Sequence, residues 1–152
     1  MTAHQTEARI CPICGRGTLE KVSTPIEEPE AGRIYLIEDV ERDRCSACGE
    51  ELFASGQVDV IAMRVVALAR ADRGRLTSDE IHQLRHDLGL TQAQLESELG
   101  VGAGTVGRWE RGTILQGATA DRLMRILWAH PELLSELGLV AREGRGPYRK
   151  RT

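Results

Sequence analysis

The sequence predicts an α+β protein: a small β-rich N-terminal module held by a metal, a joining helix, and an all-α C-terminal module of five short helices. Three observations carry this reading. All four cysteines fall between residues 9 and 53, in two matched C-x2-C pairs that flank a β-prone run. From Ser55 the apolar residues switch to helical spacing. From Thr77 the chain is punctuated by helix start and stop signals at short intervals.

The elements follow in order. Residues 1–54 form the first module, in which "RIYLIEDVERDR" is β-prone through Ile34, Leu36 and Val40, and "EEPEAG" reads as the turn joining two strands. Residues 55–74 are the connecting helix and linker: Val58, Ile61, Val65 and Leu68 make one apolar face, and "DRGRL" breaks the chain. The second module covers 75–140. Thr77 with Glu80 is a capping box for a helix carrying Ile81, Leu84 and Leu88 and ended by Gly89, and Thr91 with Gln94 repeats the device for a helix through Leu99 to Gly100. A third helix is expected over about Ala103–Arg111, ending at Gly112. A fourth carries Leu123, Ile126 and Leu127, and Pro131 opens a fifth that ends at Gly138. Residues 141–152 are a basic tail.

Composition narrows the function. With 152 residues, 41% hydrophobic and 28% charged, the chain reads as globular and holds one ordinary domain or two small ones. Aromatics are only 3%, so any core is built from Leu, Val, Ile and Ala, which favours small helical packing. The net charge of −3 is uneven: residues 1–74 hold 9 Lys+Arg against 13 Asp+Glu, and residues 75–152 hold 11 against 10. A nucleic-acid partner therefore belongs to the second half, whose end adds Arg142, Arg145, Arg149, Lys150 and Arg151. That tail reads as a solvated end, with added phosphate affinity as the alternative. No run approaches the roughly 18 apolar residues of a membrane span. The start "MTAHQTEARI" lacks the apolar segment of a signal peptide. The expectation is a reducing cytoplasm, where paired cysteines are more often metal ligands than disulfides.

Cys11-x2-Cys14 and Cys45-x2-Cys48, 30 residues apart, form two knuckles that can present four thiolates to one tetrahedral Zn2+. Gly15 and Gly49 let the backbone turn so that amides face sulfur. "CPIC" alone would also fit thiol redox chemistry, but a second matching pair and the absence of a βαβ pattern argue for one structural zinc ion per chain. Four thiolate ligands leave no open position for a hydrolytic water. His82 and His86 are four apart on a helix, but no third ligand has an obvious source, so they read as solvated surface. No nucleophile with a base is apparent, so the chain does not read as an enzyme.

The segment "LTQAQLESELGVGAGTVGRWERG", Leu90 to Gly112, resembles the helix-turn-helix of the Cro/XRE repressor family. With the cysteine pairs and "HPELLSELG" it makes the chain, from about Cys11 to Gly138, similar to MqsA-type antitoxins, also described as YgiT-type zinc-finger and helix-turn-helix proteins. The resemblance implies a five-helix Cro/XRE-type DNA-binding domain. It assigns Thr91 and Gln92 to the start of a helix that meets the phosphate backbone, Arg108 to base readout in the major groove, and Arg111 to a phosphate contact. Arg85 and Glu110 match an internal salt bridge of the repressors, and Val106 and Trp109 face inward.

Relatives commonly offer Ser, Asn or Arg at positions 102, 104 and 107, which are glycine here. Gly102 suits an N-cap. Gly104 and Gly107, three apart inside the expected recognition helix, would present a side-chain-free face to DNA, leaving polar reach to Thr105 and Arg108. Direct readout is then narrow, with more weight on phosphates and DNA shape. The competing reading is a domain that has lost DNA binding and serves to dimerise. The resemblance further implies a homodimer, through the C-terminal domain, on a palindromic double-stranded operator, a toxin protein bound by the N-terminal module, that toxin being an mRNA-cleaving ribonuclease, and repression of the chain's own operon. A free-standing zinc-stabilised regulator without a toxin is the alternative.

Overall fold

The structure, a computed structural model, describes residues 9–136, so the basic tail and the expected helix end at Gly138 lie outside the described residues. The order is β1 (Leu19–Glu30), β2 (Arg33–Cys45), β3 (Glu51–Leu52), α1 (Gln57–Asp72), α2 (Ser78–Asp87), α3 (Gln92–Leu99), α4 (Thr105–Glu110), α5 (Ala118–Ala129) and α6 (Leu133–Glu136). The chain divides into two compact units within α1, one ending at Ala69 and the other beginning at Arg70. No helix among the described residues is long and apolar enough to cross a membrane.

The first unit is an antiparallel sheet ordered β1-β2-β3, with the early turns of α1 against it. The β1–β2 turn is tighter than the sequence suggested. Glu27–Glu30 of "EEPEAG" are strand, and only Ala31 and Gly32 turn, with φ of 49° and 81°. Two successive left-handed residues match the strand twist in a two-residue hairpin, and Pro29 is tolerated because β1 is an edge strand. The alternation also differs: Ile37 and Val40 are buried, whereas Ile34 and Leu36 are exposed. A bulge is the cause. Thr24 pairs with Val40 but Ile26 with Ile37, so β2 holds one extra residue, and Asp39 takes φ 53° to accommodate it. The bulge brings Ile37 and Val40 to one face, where they meet Ile61 and Val65 of α1. Arg64 Nη2 donates to the Glu38 carbonyl at 2.8 Å and Gln57 Nε2 to that of Glu41, so α1 side chains occupy acceptors that β2 leaves unpaired there.

The joining helix has an apolar face different from the one expected. Ile61, Val65, Val66 and Ala69 are buried, but Val58 is 60% exposed and Leu68 42%. Helical spacing alone admitted both stripes, and the sheet selects one of them.

In the second unit Leu76, Ile81, Leu84, Leu95, Val106, Trp109 and Met124 form one core. Helix α2 is capped by Thr77 with Glu80 and α3 by Thr91 with Gln94, each a reciprocal capping box, and Gly100 ends α3 with φ 65°. On α5 the buried apolar residues are Met124 and Leu127, and Ile126, expected in the core, is 49% exposed. Helix α4 is shorter than expected. It begins at Thr105 because Gly104, expected inside it, is its N-cap at φ 76°, where glycine avoids the left-handed penalty. Gly104 offers no side-chain cap, and Glu96 from α3 replaces it, accepting the Val106 amide at 3.0 Å.

Candidate functional site

The two knuckles are built alike. The Gly15 amide donates to the Cys11 carbonyl and the Gly49 amide to that of Cys45, and both glycines are left-handed, at φ 66° and 73°. The Ser46 amide donates to the Thr18 carbonyl at 3.0 Å, which ties one knuckle to the other across 28 residues of sequence. Gly17 is needed for a different reason: a Cβ there would collide with Cys45 Sγ and Ala47.

The four sulfurs lie within 4.8 Å of one another, with Cys14 and Cys45 at 3.6 Å and Cys11 and Cys48 at 3.9 Å. A tetrahedron with metal–sulfur bonds of ~2.3 Å has edges of about 3.8 Å, so the cluster has the dimensions of a four-thiolate metal site. Amides of Cys48 and Ala47 approach Cys45 Sγ at 3.5 and 3.4 Å and lower its thiol to about 6. The Gly17 and Arg16 amides lower Cys14 likewise. Cys48 responds oppositely: its Glu50 amide favours the thiolate, but the neighbouring Cys45, Cys14 and Cys11 thiols and burial outweigh that and push it up to about 12. Four thiolates cannot share this space without a cation, and these four cysteines can hold one. Among the described residues no other cluster of His, Cys, Asp or Glu has this geometry. His82 and His86 are exposed, and His82 lies beside Glu110.

The second surface is formed by α3 and α4. Thr91 is committed to its cap, accepting the Gln94 amide. Arg108 and Arg111 are exposed, and Thr105 is half-buried. Arg108 folds against its own helix: Nη2 donates to Thr105 Oγ1 at 3.2 Å and Nε approaches the Gly104 carbonyl at 3.4 Å. Gln92 Nε2 donates to Glu110 Oε2 at 2.7 Å, and Arg85 Nε donates to Glu110 Oε1 at 2.6 Å, which is the internal pair that the repressor resemblance implied. Burial opposes ionisation of Glu110, but hydrogen bonds from Arg85 and Gln92 prevail and hold its carboxyl below the usual range. Gly104 is open to solvent. Gly107 is covered: a Cβ there would lie 3.1 Å from both Gln92 Oε1 and Arg111 Nη1.

Sequence reasoning missed a buried polar group behind α4. Arg70, 3% exposed, donates through Nη2 to the Trp109 carbonyl at 2.9 Å and the Ile114 carbonyl at 3.1 Å, and through Nε to Gln116 Oε1 at 2.9 Å. Gln116 in turn donates to Asp121 Oδ1 at 3.1 Å, which also accepts the Leu76 amide at 2.8 Å. Arg70 thereby satisfies a C-terminal carbonyl of α4, where a cation also suits the helix dipole. No local pattern marks Arg70, because the partners named here are 39–46 positions away in sequence.

Residues 9–138 match the family described as the antitoxin component of bacterial toxin-antitoxin systems, MqsA. The chain is also similar to Antitoxin MqsA of Escherichia coli (strain K12), at 27% identity over 128 residues covering 84% of this chain and 98% of that protein. The match takes in both knuckles and the whole α2–α5 region. The chain belongs to the MqsA family of antitoxins, regulatory components of toxin-antitoxin systems rather than enzymes.

Proposed function

We propose that this antitoxin neutralises a partner toxin, an mRNA-cleaving ribonuclease, through its N-terminal module (residues 1–54), and represses its own operon through a five-helix Cro/XRE-type module (75–140). Residues 55–74 join the two, and residues 141–152 are a basic tail. Cys11, Cys14, Cys45 and Cys48 would hold one structural Zn2+ and leave no position for substrate, which assigns the metal to folding. A reducing cytoplasm keeps such thiols available. The excess of acids in the N-terminal half suits a basic, RNA-cutting partner by field complementarity.

The observation that carries the DNA-binding reading is the side-chain set on α3 and α4: Gln92, Arg108 and Arg111 are exposed together, while Val106 and Trp109 anchor α4 in the core. Thr91 caps α3, whose N-terminal amides suit a phosphate, and Gly104 and Thr105 open α4 toward the groove. The Arg108 fork of Nε and Nη2 rests on its own helix, which leaves the Nη1–Nη2 edge for a bidentate pair with guanine. A two-fold homodimer would set two such helices one DNA turn, ~34 Å, apart on a palindrome.

Binding to duplex DNA from upstream of the chain's own gene tests this. Arg108→Ala should lose about 1–3 kcal/mol of preference at one base position per half-site, and Arg111→Ala should weaken all sequences alike and reduce the salt slope. Operator affinity unchanged in Arg108→Ala would refute the readout role. Affinity capture from the native host, with zinc retained, should recover a small basic protein in stoichiometric amount. Promoter DNA without a protein partner would identify a lone zinc-stabilised repressor.

A further inference from the structure

Gly107 is a gap on the face of α4 that would meet DNA, yet it is buried. What covers it comes from elsewhere: the Gln92 amide of α3 and the Arg111 guanidinium, each 3.1 Å from where a Cβ would stand. The geometry points to Gln92 as a base-reading residue that takes the place of a side chain at position 107. This assignment rests on the DNA-binding reading above and changes the role of Gln92 from a phosphate contact to a specificity contact.

The chemistry of the amide fixes which base it reads. Glu110 is a carboxylate, held ionised by Arg85, so it can only accept, and Gln92 must turn Nε2 toward it. Oε1 is then left beside Gly107 with no donor among the described residues. Glu110 takes one Nε2 hydrogen and leaves the other, so Gln92 keeps Oε1 as an acceptor and one N–H as a donor. Oε1, the amide atom beside Gly107, is the acceptor that meets the base edge. In the major groove the bases that offer a donor are adenine, at N6, and cytosine, at N4. The half-site should therefore carry a guanine opposite Arg108 and, beside it, an adenine or cytosine opposite Gln92. Guanine and thymine, whose major-groove groups only accept, would face Oε1 with a repulsive contact.

Gly107 is what permits the arrangement. A side chain there would push the Gln92 amide and Arg111 apart, and a hydroxyl would compete for the same base edge. The glycine gives up a contact from α4, and α3 supplies one whose orientation is set by the half-buried Arg85–Glu110 ion pair.

The test is selection of bound sequences from a randomised duplex library of about 20 base pairs, long enough for two half-sites one turn apart, with the full-length wild type and Gln92→Ala. Gln92 is exposed and outside the Thr91 capping box, so the variant should stay folded, with only a small fall in thermal midpoint from the lost bond to Glu110. The expected result is a wild-type motif with adenine or cytosine at one position per half-site. Gln92→Ala should lose that preference while keeping the guanine position, with affinity for the best sequence reduced about 3- to 10-fold, as expected for one hydrogen bond. An identical motif in both proteins, with all sequences weakened equally, would overturn the assignment and return Gln92 to the phosphates. A preference for guanine or thymine at that position would overturn it as well. Wild-type protein that enriches no sequence would overturn the DNA-binding reading itself, and this proposal with it.

Discussion

The two units reach a fixed structure by different means. The C-terminal unit has seven buried apolar residues in one core, Leu76, Ile81, Leu84, Leu95, Val106, Trp109 and Met124, drawn from the segment before α2 and from four helices. The N-terminal unit has Ile37, Val40, Ile61 and Val65, with Ile26 and Tyr35 alongside. Such a core is too small to offset the entropy of ordering a long hairpin and two knuckles, so ligation of the four cysteines must contribute what packing does not. Small domains commonly find stability this way. A metal held by the four cysteines would support one unit and leave the other independent of it.

Removing the metal is the largest perturbation available. Chelation, or Cys45→Ser, should unfold the N-terminal unit, because thiolate coordination of zinc is worth on the order of 10 kcal/mol in small modules. The C-terminal unit should keep its helical signal and its thermal transition. Far-UV circular dichroism with and without chelator reads both, and survival of the strand signal after complete metal removal would break the comparison. Next in size, Leu84→Ala should destabilise only the C-terminal unit, by about 2–5 kcal/mol, with zinc content unchanged. Glu96→Ala strands a buried amide at the start of α4 and should lower the stability of the same unit by about 1–3 kcal/mol in denaturant unfolding. The two glycines give the smallest and sharpest test, since they should move in opposite directions. Gly104→Ala forces a left-handed alanine and should cost about 1–2 kcal/mol. Gly107→Ala should stabilise α4 by up to about 1 kcal/mol, because Arg111 Nη1 is a free end and the Gln92 amide need shift only slightly while keeping its bond to Glu110.

Acid gives an independent comparison within the C-terminal unit. Asp121 is opposed by burial, yet its bonds to the Leu76 amide, Arg125 and Gln116 hold its carboxyl below the usual range, as Arg85 and Gln92 do for Glu110. A lowered folded pKa gives stability that is fully present above the unfolded value of about 4 and is lost as pH falls through the folded one. Asp121→Asn should flatten that acid limb in pH-dependent thermal melts, and an unchanged limb would remove Asp121 from the account.

What could be read in advance depended on how local the cause was. The cysteine knuckles and both capping boxes are set within four residues, and their spacing is visible in the sequence. Gly104 was misread as a helical interior position because its replacement cap, Glu96, comes from another helix, so the sequence around it carries no stop signal. The bulge at Asp39 puts Val40 on the face of Ile37 rather than that of Ile34 and Leu36, and nothing near it marks an extra residue until the pairing with Thr24 and Ile26 is known. Arg70, Gln116 and Asp121 look like surface residues in sequence. They are buried because each satisfies another.

Arg70 also decides where this protein can be divided. A fragment begun at Leu76, the last residue of "DRGRL", would retain every residue of the C-terminal core but remove the Arg70 guanidinium from the Trp109 and Ile114 carbonyls and from Gln116 Oε1. A fragment begun a turn before Arg70 would keep it. The same reasoning applies to a protease acting on the antitoxin: a cut before Arg70 releases an intact C-terminal unit, whereas a cut between Arg75 and Leu76 releases one already loosened at α4.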